Sequence, residues 1–253
     1  MKQAWRIEKN RMSSGMPYYL ISPAADRRHP LVICMHGLTA NKESFLPIGL
    51  EIAGHGYAVA LPDARNHGER KPKDFDARMS DNFGLFFMDC VTGTADEIPG
   101  LIDEVQSRPD VASGEAAMIG FSMGGYITYR ACCLDKRIAV AAPVAASGSW
   151  SYIPSPQASG SDDPRLKEQL AAVDPAQKVR DFPPRAILMQ HGLLDEHVPV
   201  ELSKKFYELA RPYYRYSPDR LQWVEYPNLG HEFNPEIQAR CVEWILRWLP
   251  PAG

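Results

Sequence analysis

The chain has 253 residues, 45% of them hydrophobic and 23% charged, and a net charge of −3. These are ordinary globular values, enough for one large α/β domain or two small ones, and no dense Lys/Arg tract invites nucleic acid or an anionic membrane. Five cysteines (Cys34, Cys90, Cys132, Cys133 and Cys241) sit mostly in apolar segments without metal-ligand spacing, so buried free thiols in a reducing cytoplasm are expected.

The first twenty residues scatter Lys2, Arg6, Glu8, Lys9 and Arg11 among isolated apolar residues, which reads as neither a signal peptide nor a membrane span. Residues 5–8 and 18–22 flank Ser13-Ser14-Gly15 and predict an antiparallel hairpin at a sheet edge. Short apolar runs then alternate with helix-like segments, the pattern of a mostly parallel sheet covered on both faces. Strands are predicted at 31–35, 57–61, 116–119, 138–144, 186–189 and 221–226.

Between the strands, Val91, Ala95, Ile98, Ile102 and Val105 keep a helical spacing, with Pro99 either kinking that helix or marking its start. A helix is expected over 124–134, and Ile237, Cys241, Trp244, Ile245 and Trp248 form one apolar stripe late in the chain. The alternation breaks at residues 149–163, rich in Ser, Pro and Gly, followed by a short polar helix over 164–173. Long loops in compact domains usually carry function, so 149–180 is read as a lid inserted into a single domain spanning 1–253.

Gly120-Phe121-Ser122-Met123-Gly124 lies where a strand passes into a helix. Such a bend holds its central residue strained and outward, with flanking glycines giving the backbone room. A serine there is placed to attack a carbonyl but needs a base. His231, in Asn228-Leu229-Gly230-His231-Glu232-Phe233 after the last strand, fits the chain order serine, acid, histidine. Asp195, beyond the strand at 186–189, can reach that loop. Glu196 is the competing acid, but a helix starting near Pro199 would turn it to solvent. His197 is set aside as a base because it lies so close to Asp195 in sequence.

An oxyanion needs main-chain donors. The amide of Met123 supplies one, and His36-Gly37-Leu38-Thr39 after the strand at 31–35 offers the amide of Leu38 as the second, with His36 orienting the loop. Arg65 and His67, after the strand at 57–61, read equally as substrate contacts or as parts of a solvated loop. Phe83, Phe86, Phe87, Trp150 and Tyr152 are candidates for an acyl pocket or for core or lid packing. No histidine pair has the helical spacing of a metal site.

Met35-His36-Gly37-Leu38-Thr39, Asp63-Ala64-Arg65-Asn66-His67-Gly68-Glu69, Gly120 to Gly125, and His191-Gly192 with Asp195 and Val198-Pro199 together resemble the α/β-hydrolase superfamily over nearly the whole chain. Within it they are similar to the dienelactone-hydrolase and prolyl-oligopeptidase-like esterase branch. The resemblance implies an α/β fold with a mostly parallel sheet of about eight strands and a serine hydrolase needing no cofactor. It gives Ser122 the place of the nucleophile, Asp195 the acid, His231 the base, and Leu38 and Met123 the oxyanion amides. True dienelactone hydrolases carry cysteine where this chain has Ser122, and the related peptidases carry a large N-terminal domain where about thirty residues stand here. The expected activity is therefore cytoplasmic hydrolysis of a small-molecule carboxylic ester through an acyl-enzyme. An aminopeptidase or acyltransferase on the same triad, or a non-catalytic binding module of the same fold, are the alternatives. Oligomeric state is not legible.

Overall fold

The computed structural model describes residues 5–24, 27–150 and 163–251. Its strands are β1 (Trp5–Arg11), β2 (Pro17–Pro23), β3 (His29–Met35), β4 (Ala58–Pro62), β5 (Val111–Phe121), β6 (Ile138–Val144), β7 (Ala186–Gly192) and β8 (Leu221–Tyr226). They form one sheet in the order β1-β2-β4-β3-β5-β6-β7-β8. The β1–β2 and β2–β4 pairs are antiparallel and every other neighbouring pair is parallel. The helices are α1 (Leu46–Gly54), α2 (Phe75–Asp81), α3 (Phe83–Ala95), α4 (Ile98–Gln106), α5 (Met123–Leu134), α6 (Pro164–Val173), α7 (Val200–Ala210) and α8 (Pro235–Trp248).

The central strands are apolar along their length because both faces are covered. Successive side chains point to opposite faces. Leu31, Ile33 and Met35 of β3, with Ala116 and Met118 of β5, therefore enter one core, shared with α3, α4 and α5. Val32 and Cys34, with Ala117 and Ile119, enter a second core beneath α1 and α8. Parallel strands all end at the same side of the sheet, so the loops after β3, β5, β7 and β8 gather at one edge.

Of the two readings of Pro99, the structure takes the second: the pattern at 91–105 belongs to two helices, α3 and α4, with Pro99 in the first turn of α4, where its missing N–H costs nothing. Strand β5 starts at Val111, not 116, because Val111 pairs with His29 although Ser113, Gly114 and Glu115 are partly or fully exposed. Apolar run length underestimates a strand whose end overhangs the core.

Residues 151–162 of the segment assigned to a lid lie outside the described residues. The polar helix expected after it is α6, whose Leu166 side chain occupies the space where a side chain at Gly84 of α3 would stand. The five cysteines are free thiols, four of them buried. Among the described residues, no helix is long and apolar enough to cross a membrane.

Candidate active site

Ser122 stands alone between β5 and α5 with φ 54° and ψ −119°. A non-glycine residue at positive φ is strained by about 1–3 kcal/mol and persists only where its surroundings hold it. Here its N–H donates to the Val144 carbonyl at 2.9 Å, and its own carbonyl accepts from Gly125 N–H at 2.8 Å and Tyr126 N–H at 3.1 Å. The glycines are required by contact. A Cβ at Gly120 would meet the Gly124 carbonyl, and one at Gly124 would run into the carbonyls of Met35 and His36. Gly124→Ala is accordingly expected to destabilise the fold by about 3 kcal/mol, read as a lowered urea midpoint.

The loop after β3 is pressed against this bend. A Cβ at Gly37 would lie in van der Waals contact with Ser122 Cβ at 3.5 Å and tightly against the Phe121 ring at 3.3 Å. That approach puts Leu38 beside Ser122. Neither the Leu38 nor the Met123 amide donates to an acceptor among the described residues. Met123 N–H is one of the unsatisfied donors at a helix start.

His36 holds the loop in place. Its Nδ1–H donates to the Gly37 carbonyl at 2.8 Å, and its Nε2 accepts from Ala64 N–H at 3.1 Å. That arrangement requires the neutral ring, and burial pushes its pKa down to about 4. Lys42, equally buried, donates its backbone N–H to Asp63 Oδ1 at 2.9 Å and its ammonium to Asp63 Oδ2 and Glu69 Oε1, each at 2.7 Å. The sequence reading missed this ion cluster, which ties the Leu38 loop to the loop after β4.

Because the unfolded chain binds a proton on His36 more readily, stability falls as pH drops from about 6.5 to about 4 and the His36 contribution is flat outside that window. The loss reaches about 3 kcal/mol at about 1.36 kcal/mol per pH unit. Urea midpoints at pH 7 and 4.5 check it, and His36→Gln should flatten the dependence.

The acid and histidine loops are bound together through main chain. Leu193 N–H donates to the Tyr226 carbonyl and Leu194 N–H to the Leu229 carbonyl, both at 2.9 Å. A side chain at Gly192 would collide with the carbonyls of Leu229 and Gly230. The result is a 2.8 Å hydrogen bond from His231 Nδ1 to Asp195 Oδ2. Asp195 Oδ1 accepts from the backbone N–H groups of His197 at 2.9 Å and Val198 at 2.8 Å. Burial alone would raise this carboxyl, but hydrogen bonds from His191, His231 and Val198 outweigh it and hold it well below the usual carboxylate range. Glu196 is exposed and makes no hydrogen bond to His231.

Two residues add to the expected set. His191, buried at the end of β7, points Nε2 at two acceptors, the Val198 carbonyl at 2.9 Å and Asp195 Oδ2 at 3.1 Å, so Nε2 carries a hydrogen. Its Nδ1 lies 2.8 Å from Ser203 Oγ on α7. A histidine four residues before the acid at a strand end was the available signal. The ring of His197, set aside on sequence grounds, stacks on His231 with centroids 4.8 Å apart.

Ser122 and His231 line one cavity of about 600 Å³ together with Leu38, and no hydrogen bond links the serine to the imidazole directly. Such contacts are often long without substrate. Phe83 and Phe87 reach the cavity; Phe86 packs on Phe75 instead, Trp150 is buried against Tyr126, and Tyr152 lies outside the described residues. Neither Arg65 nor His67 lines it: Arg65 pairs with Asp89 and His67 is buried beside His36 and Phe75. Asp195, His197 and His231 are close enough to share a cation, their candidate ligand atoms lying within 4.8 Å of one another. Both Asp195 oxygens are already taken up by N–H donors.

The sequence is 28% identical over 257 aligned positions to YitV of Bacillus subtilis (strain 168), whose name carries a provisional esterase label; the match covers 95% of this chain and 98% of that one. It is 22% identical to "Esterase YjfP" of Escherichia coli (strain K12), over 95% and 98% of the two chains. The crystal structure of TT1662 from Thermus thermophilus superposes with a TM-score of 0.79 at 22% identity, covering 96% of this chain and 98% of that one. Residues 32–245 match the model of the alpha/beta hydrolase family, a span that includes the sheet core, the Ser122 bend and both loops of the histidine–carboxylate pair. With that span and this sheet order, the chain belongs to the alpha/beta hydrolase family.

Proposed function

We propose that this protein is a serine hydrolase that cleaves carboxylic esters through an acyl-enzyme. The observation that carries the reading is the convergence on one cavity of a strained Ser122, a His231 paired through Nδ1 to Asp195 and the unengaged amide of Leu38, with the equally unengaged amide of Met123 directly after the serine. The esterase names of YitV and YjfP support it.

With Nδ1–H directed at Asp195, the neutral ring has its lone pair on Nε2, the atom that must take a proton. Ser122 Oγ would attack the ester carbon as its proton passes to Nε2, and the charge on the carbonyl oxygen would fall to the Leu38 and Met123 amides. The bond to the alcohol then breaks as Nε2 returns the proton to the leaving oxygen. A water repeats the sequence and releases the acid, restoring Ser122. Treating the folded protein with a fluorophosphonate should add one adduct, on the peptide containing Ser122, and abolish hydrolysis of nitrophenyl acetate. A folded protein that hydrolyses this ester while Ser122 stays unlabelled would end the proposal.

A further inference from the structure

The cavity has two aromatic walls. Phe83 and Phe87 of α3 stack with centroids 5.7 Å apart, and Phe87 meets Tyr126 of α5 edge-on at 5.3 Å. Elsewhere in the lining, the Phe121 ring lies 4.9 Å from that of His231 and stacks at 5.6 Å on Phe233, which stacks at 5.1 Å on Phe45. The first trio belongs to the core on one face of the sheet, and the second packs with the core on the other. The cavity therefore straddles the sheet edge, with Ser122 between two aromatic surfaces.

Proton transfer decides which half of a substrate meets which wall. The leaving oxygen must receive its proton from His231, so the alcohol has to sit on the imidazole side, over Phe121, Phe233 and Phe45. With the carbonyl oxygen on the Leu38 and Met123 amides, the acyl chain extends the other way, towards Phe83, Phe87 and Tyr126. Among the described residues, the lining includes no Lys, Arg, Asp or Glu. A charged substituent would lose its hydration there without gaining a counter-charge.

Resting on the ester-hydrolase reading, we propose that the substrates are uncharged esters apolar on both sides of the scissile bond. The Phe83–Phe87–Tyr126 wall selects the acyl group and the Phe121–Phe233–Phe45 wall selects the alcohol. Each methylene added to a buried acyl chain should raise kcat/KM roughly fourfold while the wall has room.

The test is a matrix of kcat/KM values: nitrophenyl acetate, butyrate and hexanoate for the acyl side; methyl, butyl and benzyl acetates for the alcohol side; and a choline ester and a monosuccinate ester as charged probes. Phe87→Ala should lower the hexanoate-to-acetate ratio about tenfold and leave the benzyl-to-methyl ratio within about twofold, and Phe233→Ala should do the reverse. If circular dichroism shows Phe87→Ala unfolded, Phe87→Leu is read by the same pattern. Ratios that move together, ratios that move in the opposite assignment, or a wild-type preference for either charged ester would overturn the proposal. Fluorophosphonate labelling accompanies every variant. Labelled Ser122 with a flat ester profile removes the subsite assignment alone, whereas an unlabelled and inactive protein removes the hydrolase reading beneath it.

Discussion

Replacing Ser122 by alanine is expected to lower kcat for ester hydrolysis by roughly 10⁵ to 10⁶ while leaving the melting temperature almost unchanged. The two halves of this expectation have separate physical origins. The hydroxyl makes no hydrogen bond among the described residues, so its removal leaves no partner unsatisfied. The bend itself is held by main-chain bonds to Val144, Gly125 and Tyr126, which alanine makes equally well. Alanine is no worse than serine at positive φ. On the proposed mechanism the variant would lose the covalent step, and what survived would be whatever the Leu38 and Met123 amides and the cavity contribute through polarisation and positioning. Single-turnover rates on nitrophenyl acetate and a thermal melt are sufficient. Retention of wild-type turnover by a clean Ser122→Ala preparation would remove this residue from the mechanism.

Asp195→Asn should cost roughly 10⁴ in kcat/KM with little change in the fold. Asp195 Oδ1 accepts two backbone N–H groups, so an asparagine at this position turns its carbonyl oxygen to them and its NH₂ towards His231. Facing a donor, His231 Nδ1 becomes an acceptor, the ring proton moves to Nε2, and the atom that has to act as base is already protonated. The same NH₂ also faces the hydrogen on His191 Nε2, which removes a second favourable contact. Glu196→Gln is the matched control: its side chain is exposed and outside the pair, and kcat/KM should stay within about twofold. Equal losses from the two variants would mean that Asp195 has no special claim.

Much of this site could be read from residue order. The strand-to-helix passage at Gly120 to Gly124, the glycine after β3, and an acid and a histidine at the ends of the last two strands depend on local chemistry that a sequence displays. Short apolar runs likewise marked β6 and β8 at their observed bounds, and spacing of three and four residues marked the stripe that became α8. What the residue order left short or open has a common cause. Val111 pairs with a strand eighty residues away, the pattern at 91–105 is two helices that follow one another in register, and Phe86 differs from Phe87 only in which way its helix is turned. None of these is a property of neighbouring residues.

The sequence by itself determined the alternating α/β architecture, the bend at Ser122 and the identities of the groups at the strand ends, because steric room, apolar periodicity and turn chemistry act within a few positions. Only the tertiary structure decided that His191 donates into the Asp195 carboxylate, that the His197 ring stacks on His231, and that Lys42 is buried between Asp63 and Glu69. Those choices depend on hydrogen-bond distances and burial across chain separations of up to several dozen residues, and a buried charge or ring proton finds its partner only once the sheet has brought the loops together.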